Sequence, residues 1–257
     1  MQGVPHYLID ELEPDEEFHV VRFQEMAKQA MEKIYANGHI PIVVGGTGFY
    51  IQALLYDIDF TESNEDSSYR EELERLAKEK GAQYLHEELR KVDEKSAETI
   101  HANNVKRVIR ALEFFKQTGQ KISEHNETER TKESPYDFCY FVLTDDRKLL
   151  YDRINLRVTR MVEDGLEQEA RWLREQGYSA TSFQAIGYKE MGLYLDGEET
   201  LEQACERIRQ ESRRYAKRQL TWFRRDERYH WFWADEFADA EQMHRQMAQL
   251  AQQMLLK

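Results

Sequence analysis

"PIVVGGTGFYIQALL", residues 41–55, decides how this chain is read. An apolar, β-branched run over Ile40–Val44 stops at Gly45-Gly46-Thr47-Gly48, and an apolar stretch of helical character follows. Strand, glycine loop, helix is the layout that lets a ligand approach the backbone closely at the carboxyl end of a sheet strand. The stretch has no lysine and does not match the GxxxxGK[ST] phosphate loop. Thr47 is the loop's one hydroxyl side chain, able to donate and to accept. The competing reading is a tight turn that serves packing alone.

Working outward, "HYLID" (His6–Asp10) reads as a short strand. From Val20 to Ala36, apolar residues fall at Phe23, Met26, Ala27, Ala30, Met31 and Ile34, the spacing of an amphipathic helix, which Asn37-Gly38 closes. With Ile40–Val44 as a buried strand, the order is strand, helix, strand, glycine loop, helix. That is a βαβ unit, and it predicts a parallel sheet with helices on its faces. The character then changes: "DFTESNEDSS" (Asp59–Ser68) is acidic and linker-like. Helical patterns follow over 69–80, 83–92, 94–100 and 104–117, with no strand-like run among them. Ser123–Ser134 is polar again and reads as a connecting stretch ending at Pro135. Residues 61–135 are therefore expected to be a helical insert, and residues 1–60 and 136–257 an α/β core.

The core resumes with a strand at Tyr136–Leu143. Asp145 or Asp146 then caps a helix reaching about Glu163, and a second helix spans 166–176. Thr200-x-x-Gln203 is a capping box that opens a long helix to about Arg225. Tyr229–Trp233 reads as a late strand and the tail from Ala238 as a polar helix.

Composition narrows the classes. The 257 residues carry a formal charge of −13, with 40% hydrophobic and 33% charged side chains. No apolar run reaches the ~18 residues of a membrane span, so no membrane partner is expected. Cys139 and Cys205 are too few and too far apart for a cysteine-based zinc site, and they suit a reducing cytoplasm. No histidine pair has metal-ligand spacing; His86 and His101 read as surface or hydrogen-bonding residues, and no protein metal ligand is assigned. The acidic total argues mildly against nucleic acid, but phosphate contacts depend on local basic patches.

Such patches are present. On the long helix, Arg207, Arg214, Arg218 and Arg225 form a stripe, with Arg213, Lys217 and Arg224 beside it. Cys205, Ile208, Ser212, Tyr215, Ala216, Gln219, Trp222 and Phe223 fill the other arc. Acidic residues are sparse on the cationic side, which points to a polyphosphate or RNA backbone rather than a merely solvated face. Arg153 and Arg157, four apart, are spaced to clamp a diphosphate, or else to make surface salt bridges. Lys106, Arg107 and Arg110 open a helix after Asn103-Asn104 and can grip a nucleic-acid backbone or form a solvated face.

Five segments, "GVPHYLID", "PIVVGGTGFYIQALL", "HANNVKRVIRALE", "FQAIGYKEM" and "SRRYAKRQLTWFRR", together resemble the bacterial tRNA dimethylallyltransferases, in the same order and over essentially the whole chain. The resemblance implies an α/β, P-loop NTPase-like parallel-sheet core with an inserted all-helical domain that clasps the tRNA anticodon stem-loop. It implies transfer of a dimethylallyl group from dimethylallyl diphosphate, with Mg²⁺, to the exocyclic amine of the adenosine 3′ to the anticodon. That base is flipped out of its stack to reach the site. Thr47 matches the threonine that contacts the target adenine. Arg70, Lys106, Arg107 and Arg110 match tRNA contacts. So do the segments Gln184–Met191, including Gln184, Gly187, Tyr188 and Lys189, and Lys217–Arg224, including Lys217, Arg218, Gln219 and Arg224. Position and charge assign Arg153, Arg157, Arg213 and Lys217 to the diphosphate. A cytoplasmic monomer is expected. The family's Walker A loop and general-base aspartate lie upstream of "GVPHYLID", so the chain is expected to be a fragment or truncated product, inactive alone. The alternatives are a P-loop small-molecule or nucleoside kinase, which leaves the basic insert unexplained, and a non-catalytic RNA-binding fragment.

Overall fold

The structure is a computed structural model that describes residues 3–60, 68–177 and 182–255. Most of the acidic stretch 59–68 thus lies outside the described residues. In chain order the described elements are α1 (Val20–Ala36), α2 (Gly48–Leu55), α3 (Ser68–Lys80), α4 (Ala82–Val92), α5 (Glu94–Thr99), α6 (Val105–Thr118), α7 (Ile122–Thr131), β1 (Phe141–Thr144), α8 (Arg147–Glu163), α9 (Leu166–Glu175), α10 (Tyr188–Leu195), α11 (Leu201–Phe223), β2 (His230–Trp233) and α12 (Ala240–Leu255). They form two compact units, Met1–Leu54 with Asp137–Lys257, and Leu55–Tyr136. No described helix is long and apolar enough to cross a membrane.

In the first unit, β1 and β2 pair in parallel, Phe141 opposite His230 through Thr144 opposite Trp233. Two strands so far apart in sequence need a crossover, and helices α8–α11 supply it. Asp146 caps α8, its carboxylate accepting from the Lys148 and Leu149 N–H groups. Thr200 and Gln203 cap α11 reciprocally, as the capping box predicts. Val158, Leu166, Ala170, Met191, Ala204, Cys205 and Ile208 form the core of these four helices. Each fully buried large side chain there contributes about 1.5–3 kcal/mol. Helices α8 and α11 run antiparallel: Arg213 donates to Asn155 at 2.7 Å, and Arg209, one turn earlier, to Thr159, one turn later, at 3.4 Å.

Two expected strands do not form. His6–Asp10 is bent, with Leu8 at φ 61° and Asp10 at φ 54°, conformations a strand does not contain. Ile40–Val44 has no ladder and is not buried: Ile42 is 85% and Val44 89% exposed. β-Branched composition favours a strand only where a neighbouring backbone supplies hydrogen bonds, and none among the described residues does so here.

Among its described residues, the second unit's regular structure is all helical. Leu73, Leu85, Leu89, Val108, Ile109 and Leu112 anchor its core, on the faces that the 3-and-4 spacing predicts. Gly119 closes α6 in the left-handed conformation, φ +70°. Helix α7 corrects the reading of Ser123–Ser134 as a connection. Its start is stabilised from outside its own sequence. The buried Asp93 carboxylate accepts from the N–H and Oγ of Ser123 at 3.0 and 2.7 Å, and from the same two groups of Ser96 at 3.0 and 2.7 Å. One aspartate thus caps both α5 and α7. Of the two histidines read as surface or hydrogen-bonding residues, His86 is a buried hydrogen-bonding one, with Nε2 at 2.9 Å from the Ala97 carbonyl and 2.8 Å from that of Ile100.

Candidate nucleic-acid and diphosphate site

The glycine loop is built against one face of α11. Tyr215, Gln219 and Trp222, spaced four and three apart, meet it in succession. The Tyr215 hydroxyl lies 3.4 Å from Thr47 Oγ1. The Gln219 amide donates to the Gly46 carbonyl at 2.8 Å. The Trp222 ring lies over Gly48, where a Cβ would come within 2.2 Å of its Cδ1, and stands edge-on to Phe49. A Cβ on Gly46 would lie 2.1 Å from Gln219 Nε2. Neither glycine has a positive φ, so close approach and not backbone freedom is what requires them. The clearance expected for a ligand is occupied by α11. What the loop leaves open is Thr47, exposed at the head of α2, its carbonyl accepting from Tyr50 and Ile51. In sequence, Tyr215 is an apolar-arc residue and Trp222 one that also falls in the Lys217–Arg224 segment; their 4-and-3 spacing with Gln219 is the signal for a shared target.

The cationic stripe of α11 divides in two. In its first half Arg207 pairs with Glu199, Arg213 and Arg209 with Glu206, and Arg214 with Glu211. The expectation that acidic residues are sparse on this side fails there, because Glu199 arrives from the preceding turn and Glu206 and Glu211 reach along the helix. In the second half, Lys217, Arg218, Arg224 and Arg225 have no acidic partner among the described residues. Arg218 and Arg225 lie over the rings of Tyr215 and Trp222, at 5.7 and 5.1 Å from the centroids. The unneutralised charge is thus concentrated in the last turns of α11 and just past its end, with Arg218 and Arg225 nearest the side chains that meet the loop.

Arg153 and Arg157 differ from each other. Arg153 reaches the buried Asp145, just past the end of β1, with Nη1 at 2.5 Å from Oδ2 and its own side chain 68% exposed. Arg157 is exposed with no acidic partner among the described residues. Arg213 bonds to Asn155, two residues from each and so on the other face of α8, and the structure does not bring it to the face that Arg153 and Arg157 share.

The remaining assigned residues fall into two sets. In the first unit, Gln184, in the 3₁₀ turn Ser182–Gln184, and Lys189 are exposed. Gly187 is buried at φ +115°, its N–H bonded to Glu190 at 2.8 Å. The Tyr188 hydroxyl pKa is pushed up to about 12 by burial and a hydrogen bond to Glu169. Gly187 and Tyr188 therefore hold the start of α10, and their exposed neighbours are the groups available to a ligand. In the second unit, Lys106 and Arg107 are exposed on the first turn of α6 and Arg110 is half-buried. Arg70, on α3, makes a two-pronged bond to Glu113 on α6, through Nε at 2.9 Å and Nη2 at 2.7 Å.

A parallel strand pair with crossover helices, and a helix that presents both a pinned glycine loop and unpaired cations, define an α/β protein built to receive a polyanion. A family model described as IPP transferase matches residues 1–226. A tRNA dimethylallyltransferase of Lachnoclostridium phytofermentans is 55% identical over 233 residues, 90% of this chain and 74% of that protein. The full-length tRNA isopentenylpyrophosphate transferase of Bacillus halodurans is similar in structure, with TM-score 0.68 and 44% identity over 99% of this chain and 80% of that one. A eukaryotic dimethylallyltransferase solved acting on tRNA gives TM-score 0.73 at 29% identity, over 86% of this chain and 56% of that one. The chain belongs to the IPP transferase family, and its core is of the α/β, P-loop NTPase-like kind that the sequence resemblance implied.

Proposed function

We propose that this protein transfers the dimethylallyl group of dimethylallyl diphosphate to the exocyclic amine of the adenosine 3′ to the anticodon of tRNA. The observation that carries the site assignment is Thr47. Its hydroxyl is exposed at the head of α2, on a loop that Gln219 and Trp222 hold against α11, and the unpaired cations of that helix lie in the same turns. Thr47 contacts the adenine that leaves the stack. Arg153, Arg157, Arg213 and Lys217 hold the diphosphate. Lys217, Arg218, Gln184, Lys189 and Arg224 face RNA phosphates, with Gln219, Gly187 and Tyr188 supporting them through packing. In the second unit, Arg70, Lys106, Arg107 and Arg110 grip the anticodon stem-loop.

The chemistry follows from charge. The allylic C1–O bond breaks and its electron pair leaves with the diphosphate, the amine nitrogen bonds to C1, and the proton the amine loses passes to the released diphosphate or to solvent. Cationic side chains lower the barrier by stabilising charge that grows on the leaving oxygens. Mg²⁺, if bound with the diphosphate, would add to that stabilisation. The described residues form no cluster of three His, Cys, Asp or Glu fit to hold a metal, so no step is assigned to one. A cytoplasmic monomer is part of the proposal.

Label transfer from dimethylallyl diphosphate to tRNA, assayed with the whole gene product, tests the reading. Thr47→Ala is expected to lower turnover at least about tenfold while leaving diphosphate binding within about twofold. Unchanged turnover removes Thr47 from the site, and phosphate transfer from ATP in place of prenyl transfer overturns the function.

A further inference from the structure

The Arg70–Glu113 pair is unusual in its asymmetry. Glu113 lies in the middle of α6, 6% exposed among Val108, Ile109, Ala111, Leu112 and Phe114. Arg70, on α3, is half-exposed. Burying a carboxylate is costly, and a pair that served only to join two helices would be replaced by apolar side chains at little or no loss. The geometry accounts for the cost differently. Glu113 takes two of the five guanidinium N–H donors, those of Nε and Nη2, in the planar fork arrangement. Three donors remain on a side chain whose orientation is now fixed by a buried anchor.

The position of that anchor matters. Lys106, Arg110 and Glu113 are spaced four and three apart, so they lie along one face of α6. Glu113 is one turn beyond Arg110, a rise of about 4.5 Å. The bond therefore brings Arg70 from a different helix to the end of the Lys106–Arg110 row and extends it. Tyr69 and Lys116 flank this end, the ammonium 5.8 Å from the ring centroid, and no acidic partner neutralises Lys106, Arg107 or Arg110 among the described residues.

We propose that Glu113 is a positioning residue for RNA recognition: its buried carboxylate holds the Arg70 fork in line with Lys106 and Arg110, so that the remaining N–H groups of Arg70 meet a backbone phosphate. This rests on the reading of Arg70 as an RNA contact. It gives a counter-intuitive sign. Removing a carboxylate beside an RNA-binding face strengthens binding if charge alone matters; removing this one weakens binding, because the arginine it aims is released.

The test is fluorescence-anisotropy titration of an anticodon stem-loop RNA with the intact chain and its variants, each checked for fold by circular dichroism. Glu113→Gln is expected to weaken binding about tenfold, Arg70→Ala at least as much, and the double variant no more than Arg70→Ala alone. Should Glu113→Gln not fold, Arg70→Lys decides, since it keeps the charge and loses the fork: binding about tenfold weaker supports the proposal and parental affinity overturns it. Glu113→Gln binding as tightly as the parent or tighter, or losses that multiply in the double variant, overturns the positioning role while leaving Arg70 as a contact. No loss in Arg70→Ala overturns the underlying reading of Arg70, and the proposal with it.

Discussion

The side-chain amide of Gln219 donates to the carbonyl of Gly46 at 2.8 Å, across 173 residues of sequence, in the place a Gly46 Cβ would fill. One turn further along α11, the Trp222 ring fills the place of a Gly48 Cβ. The two contacts differ in what can yield. Gly46→Ala meets the far end of a flexible side chain, so Gln219 swings away and about 1 kcal/mol is lost with its hydrogen bond. Gly48→Ala meets a tryptophan ring, and overpacking there costs about 1–3 kcal/mol. Urea denaturation midpoints are expected to fall more for Gly48→Ala than for Gly46→Ala. Equal midpoints for both variants and the parent contradict the close approach.

Asp93 makes the helical unit acid-sensitive. Burial by itself would raise its pKa, but the hydrogen bonds from Ser123 and Ser96 outweigh burial and hold the carboxyl below its ordinary 3.8. Its contribution is therefore fully present above the unfolded value and lost as pH falls through the lower folded one. Asp93→Asn is expected to cost about 2–3 kcal/mol at pH 7, since it weakens two helix caps at once. The gap between variant and parent is expected to narrow below about pH 4. Urea unfolding at pH 7 and pH 3 checks this; a gap that does not change with pH removes Asp93 from the account.

The division of the α11 stripe predicts unequal roles for its cations. Lys217→Ala and Arg218→Ala are each expected to weaken stem-loop RNA binding and to reduce the salt-dependence slope by about one. Arg207→Ala and Arg214→Ala, whose charges Glu199 and Glu211 already offset, are expected to change the slope less. Titrations over a range of NaCl concentrations separate the two pairs, and identical slopes for all four variants contradict the division.

Arg153 and Arg157 share the proposed diphosphate role but not their surroundings. Arg153→Ala leaves the Asp145 carboxylate buried without its charge partner, a loss of about 1–3 kcal/mol after discounting for the exposure of the arginine. Arg157→Ala is expected to stay within about 0.5 kcal/mol of the parent. Thermal melts read the difference, and Asp145→Asn introduced beside Arg153→Ala is expected to restore part of it.

Much of the architecture was legible before the fold was seen. Helix α1 follows from the spacing of Phe23, Ala27, Ala30 and Ile34, and α11 from its capping box. α8 follows from Asp146 and the existence of the two strands, though not their pairing with each other, from two β-rich runs, because these signals lie within a few residues. The site was legible in part. Thr47, the paired arginines and the basic clusters are local features of composition, and five ordered segments identified the family.

Tertiary structure decided the rest. Ile40–Val44 has strand composition, but a strand is a relation between two backbones, and no described neighbour completes it. The start of α7 is capped by a carboxylate from Asp93, thirty residues upstream, so its own polar sequence reads as a connection. The glycines of the loop are required by side chains of a helix far along the chain, and the neutral half of the α11 stripe depends on which carboxylates fold within reach of it. The sequence by itself determined most of the helices and the family, and nominated the candidate groups of the site, since those are carried by short-range patterns. Only the tertiary structure decided which charges stay unpaired and which glycines are filled, since each depends on a partner distant in sequence or on how neighbouring side chains fold.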